Sequence, residues 1–237
     1  MENFKEKLIE KAKNYEIELS LAQAESFEKY KNILVEWNKV MNLTAIVEEE
    51  EIIVKHFIDS LMCIKYIKPG DSLIDVGTGA GFPGIPLAIY YGSDVKITLL
   101  DSLNKRINFL NEVVKQLNLK NVVTIHARAE ELSHDANYRE TFDVVISRAV
   151  AALNILAEFN VPYLKVGGTA LFMKGSSIKE ELDNAKKAFK VLSLENINII
   201  EYTLEKEILH TIIEAKKSKK NDNKYPRIFG KIKKEPI

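Results

Sequence analysis

The sequence is poor in residues that build covalent or metal frameworks. Its 237 residues include one cysteine, Cys63, which excludes an internal disulfide and any zinc site with several thiolates. Cys63 falls in an apolar helical stretch, where a small buried hydrophobe is a better account than a nucleophile. Long hydrophobic runs are missing too. No run approaches the length that spans a bilayer, and Met1-Glu-Asn-Phe-Lys-Glu-Lys lacks the apolar core of a secretory signal. The expected compartment is the cytoplasm. The four histidines (His56, His126, His134 and His210) are scattered along the chain, so no metal site and no histidine cluster is expected. Net charge is also absent, with 34 basic and 34 acidic residues, so the average says nothing about partners.

Distribution says more. Residues 215–237 carry nine basic side chains against Asp222 and Glu235, so this segment is +7 and the remainder −7. Such a run reads either as a solvated, partly disordered tail or as a phosphate-binding arm. At 46% hydrophobic and 29% charged, the chain can bury a substantial core, and its length suits one large domain with an appendage.

Glycine is sparse, ten residues in all, yet four fall in Leu73-Ile-Asp-Val-Gly77-Thr-Gly79-Ala-Gly81-Phe-Pro-Gly84. The apolar run reads as a buried parallel strand, and the glycines as the tight turn after it. Pro83 and Pro86 suit the first turn of a following helix. Strand, glycine turn and helix N-terminus make a cofactor-binding corner. Gly79, Gly81 and Gly84 formally match the dinucleotide pattern, which alone is weak. The fuller arrangement, Asp75-x-Gly77-x-Gly79-x-Gly81, resembles motif I of the S-adenosylmethionine (SAM) methyltransferases. An acid at the strand end suits the ammonium and sulfonium of SAM and would repel a pyrophosphate.

Upstream, residues 1–15 read as a short amphipathic helix. Ser20 is a candidate N-cap for a second helix, with Phe27, Tyr30, Leu34, Trp37 and Met41 spaced 3, 4, 3, 4. A third helix is expected over 48–67, and in the polar joint before it Asn42 or Thr44 can cap or turn the chain. Downstream, strands at 73–76, 96–100, 122–126, 142–147 and 169–173 alternate with helical patterns, which predicts a parallel doubly wound sheet. The runs 197–202 and 208–214 leave no room for a helix between them and read as an antiparallel hairpin. The expected organisation is an N-terminal helical extension over 1–68, a SAM-binding domain over 69–216 and a basic tail over 217–237.

Asp101 closes the second strand, where a carboxylate either accepts ribose hydroxyls or caps the next helix with Ser102. Ala129 and Glu130 follow the third strand, on the adenine side of this architecture, though Glu130 could equally be a solvated helix-start charge. After the fourth strand there is no Asn/Asp-Pro-Pro-aromatic turn of the enzymes that methylate exocyclic amines, and Cys63 lies elsewhere than a pyrimidine-C5 nucleophile would. Arg148 stands there instead, a five-donor fork suited to phosphate, carboxylate or the edge of guanine. Lys174 ends the next strand at the same rim. A nicotinamide-dependent oxidoreductase is the rival class. Tyr202-x-x-x-Lys206 matches one of its motifs but falls on a strand and turn, and stabilisation by SAM rather than by NAD would separate the two.

The segments Trp37-Asn38-Lys39, Asn42-Leu43-Thr44, His56 with Asp59-Ser60-Leu61, the glycine motif through Gly84, Asp101-Ser102 with Lys105-Arg106, Arg128-Ala129-Glu130, Ser147-Arg148-Ala149, Lys174-Gly175 and Tyr225-Pro226-Arg227 occur in one order. Together they resemble the RsmG (GidB) family, bacterial enzymes that methylate N7 of one guanine in small-subunit ribosomal RNA. The resemblance implies a Rossmann-like class I SAM-dependent methyltransferase sheet with SAM contacts at Gly77, Phe82, Ala129, Glu130 and Arg148 and with Asp101 at the ribose. Asp75, Gly79 and Gly81 complete the cofactor set. It also implies a monomer acting on ribosomal RNA or an assembling ribosomal particle. Arg148 and Lys174 are candidates for positioning the substrate, and Arg128, Lys174, Lys224 and Arg227 for holding RNA. At the C-terminus the chain departs from the family, with Phe229 and Ile232 where prolines are usual. Guanine N7 has an exposed lone pair, so no catalytic base is needed. Positioning would supply the rate, with the base held at its O6 and Watson–Crick edges.

Overall fold

The computed structural model describes residues 3–148, 151–176, 178–205 and 208–237. Helix α1 (Phe4–Lys13) opens on a capping box between Asn3 and Glu6, and α2 (Leu21–Met41) on one between Ser20 and Gln23. Asn42 ends α2 in the left-handed conformation, as a C-cap. The third helix, α3, is continuous but not uniform. It runs α-helical through Glu49–Glu51, widens to a π-helix over Ile52–Ile58 and tightens again at Asp59–Leu61. A 3-10 turn at Ile64–Tyr66 precedes the first strand.

The sheet follows the expected alternation. It comprises β1 (Ser72–Val76), α4 (Gly84–Tyr91), β2 (Lys96–Asp101), α5 (Asn104–Gln116), β3 (Val122–His126), α6 (Ala129–Leu132), β4 (Phe142–Arg148), α7 (Leu153–Asn160), β5 (Leu164–Lys174), α8 (Lys179–Val191), β6 (Leu194–Leu204) and β7 (Ile208–Lys217). Strand order is β3-β2-β1-β4-β5-β7-β6. The first five strands pair in parallel, and β7 inserts antiparallel between β5 and β6. The order reverses at β1/β4, which is where such sheets bind ligands, outside their carboxyl ends.

Alternation along the strands explains why both faces are covered. Leu73, Val144 and Leu171 belong to one apolar cluster, their neighbours Ile74, Val145 and Phe172 to the other. The first cluster includes Phe4, Leu8, Phe27, Tyr30, Leu34 and Phe57, so the N-terminal helices share a core with the sheet. The helices expected over 1–68 are therefore packed into the same core as the sheet. Trp37 and Met41, at the end of the α2 stripe, are only half-buried, with Trp37 set edge-on to Phe109. Cys63 is fully buried, and burial pushes its thiol far above the usual range. Among the described residues, no helix is long and apolar enough to cross a membrane, and no cluster of three or more His, Cys, Asp or Glu could hold a metal ion.

The basic segment is only partly solvated. Lys217 is buried, its Nζ donating to Glu140 and to the carbonyls of Val161 and Leu164. Arg139 donates to the carbonyls of Tyr225 and Asp222, and Arg227 forms a two-pronged pair with the buried Glu158 of α7. A last helix, α9 (Phe229–Lys234), buries Ile232. Of the nine basic residues, Lys216, Lys217 and Arg227 are thus drawn into the packing, and the other six are exposed.

Candidate functional site

The glycine turn is held by two acids. Asp75 is fully buried, and its Oδ2 accepts from the Thr78 hydroxyl at 2.7 Å and the Gly84 amide at 2.9 Å. Asp101, at the end of β2, takes the Gly79 amide at 3.0 Å. Gly77, Gly79 and Gly81 have φ of 73°, 62° and 95°, the left-handed region that side chains avoid. At Gly84 the constraint is space, since a Cβ there would lie 2.2 Å from Leu99 and 2.9 Å from Asp75 Oδ2. The turn is also tied to the N-terminal helices, because the Tyr30 hydroxyl donates to the Ala80 carbonyl.

Asp75 Oδ1 is buried with no hydrogen-bond partner among the described residues. An orphan carboxylate oxygen in a cofactor corner calls for a cationic donor, and the ammonium of SAM is one. Burial raises this carboxyl from 3.8 to about 6. Between those values the folded chain holds a proton that the unfolded chain has lost, so stability falls as pH rises through that window, and the cost remains above it. Asp75→Asn is therefore expected to be at least as stable as the parent at pH 8, while binding SAM about tenfold or more weakly. Thermal melts at pH 4 and pH 8 and a SAM titration measure both; a variant that melts early at pH 8 yet keeps its affinity contradicts this account.

A first cleft opens along the ends of β1, β2 and β3. Gly77, Asp101, Ser102, Ala129 and Glu130 line it, with Phe159 and Asn160 of α7 opposite and Phe229 of α9 at its mouth. Glu130 is buried in this wall and is no solvated helix-start charge. Tyr163 donates to the Ala129 carbonyl at 2.7 Å, fixing that backbone. Asp101 is also buried. Its Oδ1 accepts the Leu103 amide at 2.9 Å, and its Oδ2 meets Arg106 at 3.2 Å besides Gly79. It thus turns the chain into α5, while Leu103 holds the N-cap position. A carboxylate offers about four acceptor directions. One remains free, and the half-exposed Arg106 can yield another, so the acid can still take a diol.

Arg148 does not line this cleft. It lines a second one, over the ends of β4 and β5 and against α3, together with Lys55, His56, Asp59, Lys174 and His210. Its guanidinium donates to Asp59 Oδ2 at 2.7 Å, to the Lys55 carbonyl at 3.0 Å and to His56 Nδ1 at 3.2 Å, and lies 5.0 Å from the Phe82 ring centre. His56 stacks on Phe82 at 4.2 Å. Because an arginine only donates, His56 Nδ1 accepts and Nε2–H donates to Thr44 Oγ1 at 2.8 Å. Burial and the Arg148 charge lower this ring to about 3, so it is neutral. Asp59 Oδ1 accepts from the Tyr202 hydroxyl at 2.7 Å and from His210 Nδ1 at 2.9 Å. Burial works against its charge, but these donors and Arg148 outweigh it and hold the carboxyl below its ordinary value. His56 and His210 are linked only indirectly, through Arg148 and Asp59.

The RNA candidates have diverse fates. Arg128 is exposed, 3.6 Å from Glu130 and set over Phe229. Lys224 is exposed and pairs with Asp222 at 3.1 Å. Lys174 is mostly buried, donating to Glu181 and to the Ala151 carbonyl, and Arg227 is consumed by Glu158. Both therefore brace the fold, and any contact with RNA would have to break an existing pair. Ala149 and Lys206 lie outside the described residues. Sequence reasoning gave no role to Asp59, His210, Tyr202 or Phe229. The one available signal was Asp59 itself, an acid in the apolar second half of α3 between Phe57-Ile58 and Leu61.

A family model for rRNA small subunit methyltransferase G (GidB) matches residues 23–213. The chain is 50% identical over 236 residues to ribosomal RNA small subunit methyltransferase G of Alkaliphilus oremlandii, covering 98% of each chain. It is 48% identical over 232 residues to the protein of that name from Acetivibrio thermocellus, covering 97% of this chain and 95% of that one. Among solved structures it is similar to a SAM-dependent O-methyltransferase from Thermotoga maritima, with TM-score 0.54, 16% identity and coverage of 80% and 73%. A SAM-dependent methyltransferase from Aquifex aeolicus gives TM-score 0.53 at 18% identity, covering 72% of this chain and 94% of that one. At such identities these two likenesses concern the fold.

Proposed function

We propose, because the chain belongs to the rRNA small subunit methyltransferase G family, that it transfers a methyl group from SAM to N7 of a single guanine in small-subunit ribosomal RNA. It acts in the cytoplasm as a monomer, on the RNA or on an assembling particle. The observation that carries this reading is the pair of clefts at the carboxyl end of the sheet: an acid-lined one over β1, β2 and β3, and a cationic one over β4 and β5.

The residues present fit SAM. Asp101 offers acceptors for the ribose, and Gly77 and Ala129 present backbone to the nucleoside. Glu130 and Phe229, lining the first cleft, flank the adenine, and the orphan oxygen of Asp75, buried outside the lining of either cleft, is the acceptor left for the ammonium. When bound, SAM supplies an already activated methyl group. The chain's own part is therefore positioning and exclusion of water. Arg148, tied to β4 and α3 at once, fixes the second cleft at the place where the glycine turn ends. Guanine N7 needs no deprotonation, so Asp59, already holding Arg148, Tyr202 and His210, and the neutral His56 are not required as bases. The reading is tested by comparing ribosomal RNA from a deletion strain with that of its parent. One N7-methylguanosine in the small-subunit RNA should vanish; persistence of every such mark refutes the substrate.

A further inference from the structure

The second cleft has a volume of about 460 Å³, within the range of small-ligand pockets. Asp59 is its one acidic lining residue, facing Lys55, Arg148 and Lys174. One wall is His210, whose Nδ1 is taken by Asp59. Its other polar atom, Nε2, has no partner among the described residues, and the ring is partly exposed to the cleft. Asp59 is already balanced by Arg148 at 2.7 Å. An imidazole that donates Nδ1–H to Asp59 presents, in its neutral tautomer, a lone pair at Nε2 toward the cleft.

On the reading above, we infer that this cleft receives the target purine and that His210 Nε2 accepts the N1–H of guanine, with Asp59 as the residue that positions the ring. The acceptor gives specificity, because adenine presents a bare lone pair at N1 and would face His210 lone pair to lone pair. It also acts on rate. As the N7 lone pair forms its bond to the methyl carbon, the S–CH₃ bond breaks and its electron pair returns to sulfur. The positive charge passes from sulfur to the purine, and no proton leaves. N1–H becomes more acidic as that charge builds, so its hydrogen bond to Nε2 strengthens in the transition state relative to the ground state. Lys55 and Lys174 are each paired with an acid outside the cleft lining, Glu51 and Glu181.

The test is a cycle between residue and base. Small-subunit RNA carrying guanine or 2-aminopurine at the target position is methylated by the parent and by His210→Ala. 2-Aminopurine keeps N7 but has no N1 proton. The parent should prefer guanine strongly in kcat, and His210→Ala should lose about 10- to 100-fold on guanine, with that preference shrinking by a similar factor. SAM affinity should be unchanged by titration, since His210 is remote from the first cleft. Asp59→Asn should lose the same discrimination and add nothing to it in combination with His210→Ala. His210→Gln, which can still present an acceptor, should recover part of the preference and serves if the alanine variant does not fold. If the preference for guanine is the same in parent and variants, the assignment of His210 is overturned while the proposed activity stands. If the parent methylates no guanine N7 in this RNA, both are overturned.

Discussion

Arg227→Ala is expected to lower stability by about 3–5 kcal/mol, the usual consequence of stripping one partner from a buried ion pair. Glu158 is fully buried in the middle of α7 and accepts three donors, all from residue 227: the backbone amide at 2.8 Å, Nε at 2.8 Å and Nη2 at 2.7 Å. Alanine leaves the amide alone to balance a desolvated carboxylate. Replacing both partners, as in Glu158→Leu with Arg227→Met, should restore most of the loss, because the cost lies in the unpaired charge and not in the missing pair. Urea melts of the parent, the single and the double variant measure this directly. A single variant within about 0.5 kcal/mol of the parent would mean that the pair is solvated and the segment undocked.

The same substitution has a second consequence. Phe229 follows two residues after Arg227, stacks on Phe159 at 6.2 Å and stands at the mouth of the first cleft. Freeing the segment removes that wall, so SAM affinity should fall in Arg227→Ala and largely return in the double variant. The basic segment thus couples the two halves of the proposed reaction. Its exposed lysines Lys231, Lys233 and Lys234 lie on α9, whose first residue faces the cofactor cleft.

The fold was legible because its signals are local. Apolar runs ending on Asp75 and Asp101, glycines at positions with left-handed φ and helical stripes such as Phe27-Tyr30-Leu34 each declare themselves within a few residues. The first cleft followed from them, since residues at the ends of adjacent parallel strands are neighbours by construction. Of the second cleft only the shared rim of Arg148 and Lys174 was legible, and the rest was hidden for the opposite reason. Asp59 comes from α3, Arg148 from β4 and His210 from β7, and only the insertion of β7 beside β5 brings them together. Composition misled at the C-terminus. Nine basic residues in a row of polar ones look solvated, and the acid that claims Arg227 sits far upstream in an apolar helix, where Glu158 was itself the unread sign of a buried partner. The π-helical stretch of α3 has no sequence marker; its mix of apolar residues with Lys55 and His56 fits either winding.

Asp101→Ala is expected to weaken SAM binding about 100-fold or more. A hydrogen bond to a charged acceptor contributes about 1.5–3 kcal/mol, so two ribose hydroxyls suffice for that factor without any change in fold. The loss has a second source in the protein itself. Asp101 Oδ2 holds the Gly79 amide and Oδ1 the Leu103 amide, so the carboxylate joins the glycine turn to the start of α5. Alanine releases both amides, and the turn must then be ordered at the expense of binding. Two measurements separate these sources. Binding of 2′-deoxy and 3′-deoxy analogues to the parent reports the ribose contacts alone, and each should lose part of the affinity that Asp101→Ala loses in full. Arg106→Ala frees an acceptor direction on Oδ2 and should leave affinity unchanged or improved, because Arg106 competes with the sugar for that oxygen at 3.2 Å. If the deoxy analogues bind as tightly as SAM while Asp101→Ala binds weakly, the acid serves the turn alone and the sugar is held elsewhere. If Asp101→Ala itself binds within about threefold of the parent, less than one ordinary hydrogen bond, then the first cleft is not where the nucleoside sits.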